Sequence, residues 1–323
     1  MEYFIGIDIG GTKIAGGIVR ADGVVLHRQL VPTPVEEGGP KILADAIAVA
    51  EALVNVAAAE NYKIKAIGIG AGGQIDSEQG LVFSASDVLP GWRGLRITEA
   101  FEHALKLPAR VENDVNALAL GECRFGSAEA ISAKGTVVFL ALGTGVGGAL
   151  VNAGRVHHGA HWSGGEFGHI LLNTSDDARY DRGGSQGTLE AYCSGPGLVA
   201  TYRDLLQAST QCIQNIDTLE IHGHDVVATA DRELAENVRN GPGGRAIMFT
   251  GRSLGFGLVT LANALDPDMI IIGGGLAALG DRLLAPARAV LQERAMPGPA
   301  TCPVVVASLG ADASIIGAAC VAM

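Results

Sequence analysis

Glu112-Asn113-Asp114 is a segment built for chemistry: it follows the apolar run Ala109–Val111 and leads into the apolar pattern at Ala117–Leu120. A carboxylate placed there lies at or near a helix N-terminus, where the helix dipole favours it. Two roles fit Asp114. It could cap the helix, or it could be a general base that takes the proton of a sugar hydroxyl during phosphoryl transfer, with Asn113 bonding neighbouring hydroxyls.

Three glycine turns each follow an apolar run: Gly10-Gly11-Thr12, Gly143-Thr144-Gly145 and Gly273-Gly274-Gly275. Glycine lets backbone N–H groups approach an anion closely, so a set of such turns can cradle phosphates. None of them has the Walker spacing, and none opens a helix as a dinucleotide fingerprint does. Asp8 stands just before the first turn, where a carboxylate can hold magnesium directly or through water; a turn-capping role is the alternative. Lys13 is placed either to meet a phosphate or to be solvated.

Farther along, Gly164–His169 reads Gly-Gly-Glu-Phe-Gly-His, and Glu190 follows in Leu-Glu-Ala-Tyr-Cys-Ser-Gly. Two carboxylates and a histidine suit a polyhydroxyl ligand, since each hydroxyl wants both a donor and an acceptor. His169 could equally be structural. His157, His158 and His161 crowd upstream and mimic a metal cluster, but their spacing matches no ordered zinc motif.

The elements that must hold these residues follow from the apolar pattern. Phe4–Ile9, Ile14–Val19 and Val24–Leu30 are three short runs separated by turn signals, which predicts a strand meander. Pro40–Glu60 is Ala-rich with helical spacing, and Ile64–Ile69 is a buried strand opening into Gly70–Gly73. Thr136–Leu142 and Gly147–Val151 predict a second hairpin that echoes the first. That echo suggests two copies of one fold unit, although chance in a Gly-rich chain is an alternative. Arg245–Leu265 predicts a helix ended by Asp266-Pro267, because the residue before proline resists helix. Met269–Ile272 and Val304–Leu309 read as strands, and Ser314–Val321 as a small-residue helix.

A chain of 323 residues suggests about two domains. The expected division is a small α/β domain over 1–115 and a larger one over 116–311, with a C-terminal helix over 312–323 packing back on the first. The net charge of −11 disfavours nucleic acid as a partner. No apolar run nears the ~20 residues that span a bilayer, and the start shows no export signal. Five scattered cysteines argue for reduced thiols and a cytoplasmic setting rather than a disulfide framework.

These segments, in order, resemble the ROK family of repressors and sugar kinases. The matching stretches are DIGGTK at 8–13, PGW at 90–92, ENDVNALALGE at 112–122, LGTGVGG at 142–148, GEFGH at 165–169, LEAYCSG at 189–195 and LDPDMIIIGGG at 265–275. The resemblance implies a two-domain actin/hexokinase-like (ribonuclease H-like) α/β fold with ATP and sugar in the interdomain cleft, and a homodimer. It implies Asp114 as base, and Asn113, Glu166, His169 and Glu190 as sugar ligands. Asp8, Gly10, Gly11, Thr12, Lys13, Gly143, Thr144, Gly145 and Gly274 would then line the side of ATP and magnesium. The family's repressors carry an N-terminal DNA-binding segment; this chain starts at its first strand, which points to a kinase. A sugar-sensing regulator without catalysis and a polyphosphate-using glucokinase are the alternatives.

Two departures stand out. Many family members bind zinc through the GEFGH histidine and three cysteines, and here Asp181, Gly183 and Thr188 stand at the cysteine positions. Thiolates carry most of such a site's affinity, so no structural zinc is expected. Before Pro90-Gly91-Trp92, Asp87 or Ser86 stands where asparagine is common near the sugar. A carboxylate at Asp87 could pair with the ammonium of an amino sugar such as kanosamine; a surface-loop role is the alternative.

Overall fold

The structure, a computed structural model, describes residues 1–85, 89–131, 133–209, 220–238 and 240–323. β1 (Tyr3–Ile9), β2 (Lys13–Arg20) and β3 (Val25–Pro32) make the expected antiparallel meander. Helix α1 (Gly39–Ala59) then returns the chain to β4 (Ile64–Ala71), which pairs parallel to β1. After the small hairpin β5 (Gln74–Asp76) and β6 (Leu81–Ser84), α2 (Ile97–Leu105) leads into β7 (Ala109–Asn113), parallel to β4, and straight on to α3 (Asp114–Phe125). The sheet order is β3-β2-β1-β4-β7.

Register decides what the parallel strands deliver at their ends. Asp8 on β1 lies opposite Gly70 on β4, and Gly70 lies opposite Glu112 on β7. Ligand sites of open α/β sheets form at these carboxyl ends. Alternation along β1 sorts the side chains: Ile5, Ile7 and Ile9 enter a core with Ile42, Val49 and Leu53 of α1, while Phe4 joins a second core with Ile315 and Ala319.

The second sheet repeats the plan. It contains β8 (Thr136–Leu142), β9 (Val146–Asn152) and β10 (Arg155–Val156), then β11 (Met269–Gly273) and β12 (Val304–Val306). Its order is β10-β9-β8-β11-β12, so the two echoing hairpins hold the same places in two five-stranded sheets. Helices α4 (Leu189–Cys193), α5 (Gly195–Ser209), α6 (Gly223–Ala235), α7 (Pro242–Leu265) and α8 (Asp281–Arg294) belong to this half of the chain. Helix α7 ends where expected, with Asp266 as a left-handed C-cap before Pro267.

The chain divides into two compact units: Met1–Val137 with Ala149–Gly165 and Ala307–Met323, and Val138–Gly148 with Glu166–Val306. In the first, α9 (Ala313–Cys320) packs on β1, β4 and α3. Gly6 and Gly68 make that seat: a Cβ on either would collide with the backbone of Ile315 or Ala318 in α9.

Two expectations need correction. Helix α1 is long and apolar enough, by length and composition, to cross a membrane, although its apolar run is interrupted by Lys41, Asp45 and Glu51. Here its Ile42, Ala46, Val49, Ala50 and Leu53 are buried in the protein core. The last strand stops at Val306 rather than Leu309, because the amides of Ser308 and Leu309 both donate to the buried carboxylate of Glu122, at 2.8 and 2.9 Å.

Candidate active site

In the first unit, the end of β7 and the start of α3 are held by a dense set of hydrogen bonds. Asn113, not Asp114, caps the helix: its Oδ1 accepts from the amides of Val115 and Asn116 at 2.9 and 3.1 Å. Its Nδ2 donates to the carbonyl of Gly73 at 2.9 Å, and the indole of buried Trp92 donates to Gly72 at 3.0 Å. The glycine loop after β4 is therefore tied down from two sides.

With capping assigned to its neighbour, Asp114 is released for other work. It is half-buried, accepts from the Val115 amide at 2.9 Å, and makes no ion pair among the described residues. Burial pushes its pKa up, partly countered by the α3 amides and the Asn113 side chain. A carboxylate raised in this way is a better base near neutral pH.

Asp8 is raised to about 6. Burial is the main cause and the charge of Asp114 adds to it, while the Ser314 hydroxyl and Lys13 pull the other way. The following turn is closed by Gly10 N–H donating to the Lys13 carbonyl at 3.1 Å and by the Thr33 hydroxyl donating to the Gly10 carbonyl at 2.6 Å. Gly11, Thr12 and Lys13 are exposed.

In the second unit the β8–β9 turn is joined to α4. Gly143 N–H donates to the Gly145 carbonyl at 2.9 Å, and Val146 N–H donates to Glu190 Oε2 at 2.8 Å. One oxygen of Glu190 is thus spent on the turn. Gly274 (φ +82°) touches Leu142 so closely that a Cβ would collide with its backbone, which brings the third glycine turn against the second. Glu166 precedes a short 3₁₀ turn, Phe167–His169, and Gly168 in that turn lies against the Val146 carbonyl. The turns carrying Glu166, His169, Glu190, Gly143–Gly145 and Gly274 are assembled together in this unit.

Asp181 and Thr188, two of the three positions where the family resemblance leads one to expect cysteine, belong to a hydrogen-bonded cluster. Asp181 is fully buried; its Oδ2 accepts from the Thr188 hydroxyl at 2.9 Å and lies 3.4 Å from His169 Nδ1, and its Oδ1 accepts from the Ser185 amide at 2.8 Å. Burial alone would raise the Asp181 carboxyl, but the Ser185 amide, the Thr188 hydroxyl and the charge of His169 together hold it below the usual value. Asp87 lies outside the described residues.

Sequence reasoning passed over one partner. His158, grouped there with two other histidines, pairs with Glu112 of the Glu-Asn-Asp segment at 2.6 Å. Among the described residues no three histidines, cysteines or carboxylates are placed to hold a metal. No signal of spacing could have revealed the pair, since Glu112 ends β7 and His158 lies 46 residues on, in the loop after β10.

The chain is similar to known proteins over nearly its whole length. A glucokinase from Streptomyces coelicolor is 33% identical over 337 residues, covering 99% of this chain and 97% of that protein. The ROK hexokinase of Thermus thermophilus matches in structure with a TM-score of 0.77 at 30% identity, over 99% of this chain and 97% of that one. A ROK family glucokinase from Streptomyces griseus, in complex with glucose and AMPPNP, gives 0.76 at 30% identity over 98% of both chains. The family pattern itself spans residues 4–323, so this chain belongs to the ROK family and carries its actin/hexokinase-like two-domain α/β fold.

Proposed function

We propose that this chain, an ATP-dependent sugar kinase of glucokinase type, phosphorylates a hexose at the 6-hydroxyl, with glucose as the first candidate. In the reaction a sugar oxygen attacks the γ-phosphorus, a new O–P bond forms, and the bond from that phosphorus to the ADP oxygen breaks. Asp114 takes the hydroxyl proton and later returns it to water, giving hexose 6-phosphate, ADP and one proton. The observation that carries this reading is the division of labour at the head of α3: Asn113 caps the helix, and Asp114 is left half-buried with a raised pKa.

Asn113, Glu166, His169 and Glu190 are the proposed ligands of the sugar hydroxyls. Gly10, Gly11, Thr12, Lys13, Gly143, Thr144, Gly145 and Gly274 are the proposed ATP contacts, offering backbone N–H groups and one ammonium. Asp8 and Asp114 repel each other, and a hard cation would relieve that repulsion, so the residues present fit magnesium near Asp8. When bound, magnesium would neutralise charge on the transferring phosphate. An amino-hexose such as kanosamine remains the finer reading of Asp87.

The experiment is a sugar panel assayed with ATP and magnesium on the native protein and on Asp114→Asn. Phosphorylation of glucose by the native protein, lost in the variant while sugar still binds, is the expected result. Undiminished turnover in the variant would remove Asp114 from the reaction.

A further inference from the structure

Glu112 is 4% exposed and shares its two oxygens between different tasks. Oε1 accepts from the backbone N–H of Asn113 at 2.8 Å and from the Asn116 side-chain amide at 3.0 Å. Oε2 lies 2.6 Å from Nε2 of His158, which also lies 3.2 Å from the Ser77 hydroxyl. The carboxylate therefore bridges the first turn of α3 to the loop that follows β10.

That loop is itself constrained. Gly164 N–H donates to the His158 carbonyl at 2.7 Å, and Gln74 donates to the Ser163 hydroxyl at 2.8 Å. The Trp162 ring lies 5.2 Å from the His158 ring, and Trp162 holds a left-handed φ of +58°. A bulky residue keeps such a backbone conformation only where its surroundings impose it. His158 is thus presented to Glu112 by a loop with little freedom to withdraw it.

We infer that Glu112 and His158 are a positioning pair for the proposed sugar-binding and base residues Asn113 and Asp114, and that the imidazolium form of His158 is the form that positions them. The inference rests on the reading of Asp114 given above. A buried carboxylate stripped of its charged partner must reorient or take up a proton. Either change disturbs Oε1, and with it the Asn113 amide and the cap of α3.

Charges around His158 favour the imidazolium. Glu112 on β7 is nearest, and Asp76 and Glu78 from the β5–β6 hairpin add to it. These carboxylates raise the His158 pKa above its ordinary 6.5, against the opposing effect of burial. Arg110 and Arg155 line, with His158, the same cavity of about 1030 Å³. The ion pair is present below the raised His158 pKa and weakens as pH rises past it.

Charge-assisted hydrogen bonds are roughly twice as strong as neutral ones, so His158→Gln, which keeps an N–H donor but no charge, should lower kcat about three- to tenfold at neutral pH. It should also remove the alkaline limb of the kcat profile that the native enzyme shows, and His158→Lys should move that limb to higher pH. A readout free of catalysis is the NMR shift of the Asn113 backbone amide, expected to titrate together with the His158 ring in the native protein and to be flat in His158→Gln. An Asn113 amide indifferent to the His158 proton, or an alkaline limb retained in His158→Gln, overturns the inference. Full turnover by Asp114→Asn would instead sink the base assignment alone, since the amide titration does not depend on it.

Discussion

Asp181 Oδ2 stands 3.4 Å from Nδ1 of His169, inside a buried hydrogen-bonded cluster with Thr188 and Ser185. A carboxylate facing Nδ1 favours a proton there and turns the Nε2 edge of the ring away from Asp181, toward a ligand hydroxyl. The same carboxylate is anchored by Thr188 and the Ser185 amide, so the ring inherits its orientation from buried hydrogen bonds.

Elemental analysis of the purified protein should accordingly find no stoichiometric zinc, and a chelator should not shift its Tm. Asp181→Ala should raise the sugar KM about tenfold or more while changing kcat less, because a binding group is loosened rather than the base. The Asp181 carboxyl is held below its unfolded value, so its contribution to stability is present above pH ~4 and is lost as pH falls through the lower folded value. Asp181→Asn should lack that acid-side loss when Tm is followed from pH ~5 downward.

Asp114→Asn should cut kcat by ~10²–10⁴-fold with sugar binding retained. The raised pKa of Asp114 means that its charged form destabilises the fold at neutral pH. The variant should therefore melt at the same temperature as the native protein or higher, and a lower Tm at pH 7 would contradict this.

Asp8 extends the same reasoning with a defined window. Its carboxyl titrates near 3.9 unfolded and at about 6 folded, so its destabilising effect begins above pH ~4 and is complete above pH ~6. Asp8→Asn should raise the Tm of the ligand-free protein by a few degrees at pH 7 and leave it unchanged at pH 4. Magnesium with nucleotide should stabilise the native protein more than the variant. Equal stabilisation of both would place the cation elsewhere.

Substrate identity can be tested through Asp87. If the sugar bears an ammonium group, one charge-assisted hydrogen bond is worth ~1.5–3 kcal/mol, so Asp87→Asn should cost roughly 10–150-fold in kcat/KM toward kanosamine. Glucose should be unaffected or slightly improved. Equal losses for both sugars would reduce Asp87 to a loop-shaping residue.

What could be read from the sequence was local. The β1–β2 hairpin, α1, and the stop of α7 at Asp266-Pro267 follow from patterns within a few residues, and all three stand in the structure. Whether Asn113 or Asp114 caps α3 could not be read, because both residue types cap well and only coordinates show which oxygen faces the amides. Glu112–His158 and Glu190–Val146 join residues 46 and 44 positions apart, and no periodicity encodes such contacts. The overrun past Val306 has the same origin, since Glu122, which claims the Ser308 amide, is 186 positions away.

The seating of α9 on β1 and β4 has a consequence for biosynthesis. Gly6 and Gly68 are translated early, while the helix they accommodate begins only at Ala313. At roughly 5–20 residues per second, the ribosome takes on the order of ten seconds or more to make the intervening chain. For that interval the nascent sheet shows Phe4, Ala15 and Val19 without their α9 cover. Completion of the first unit therefore waits for the synthesis of α9, and until then this strand face lacks the helix that buries it.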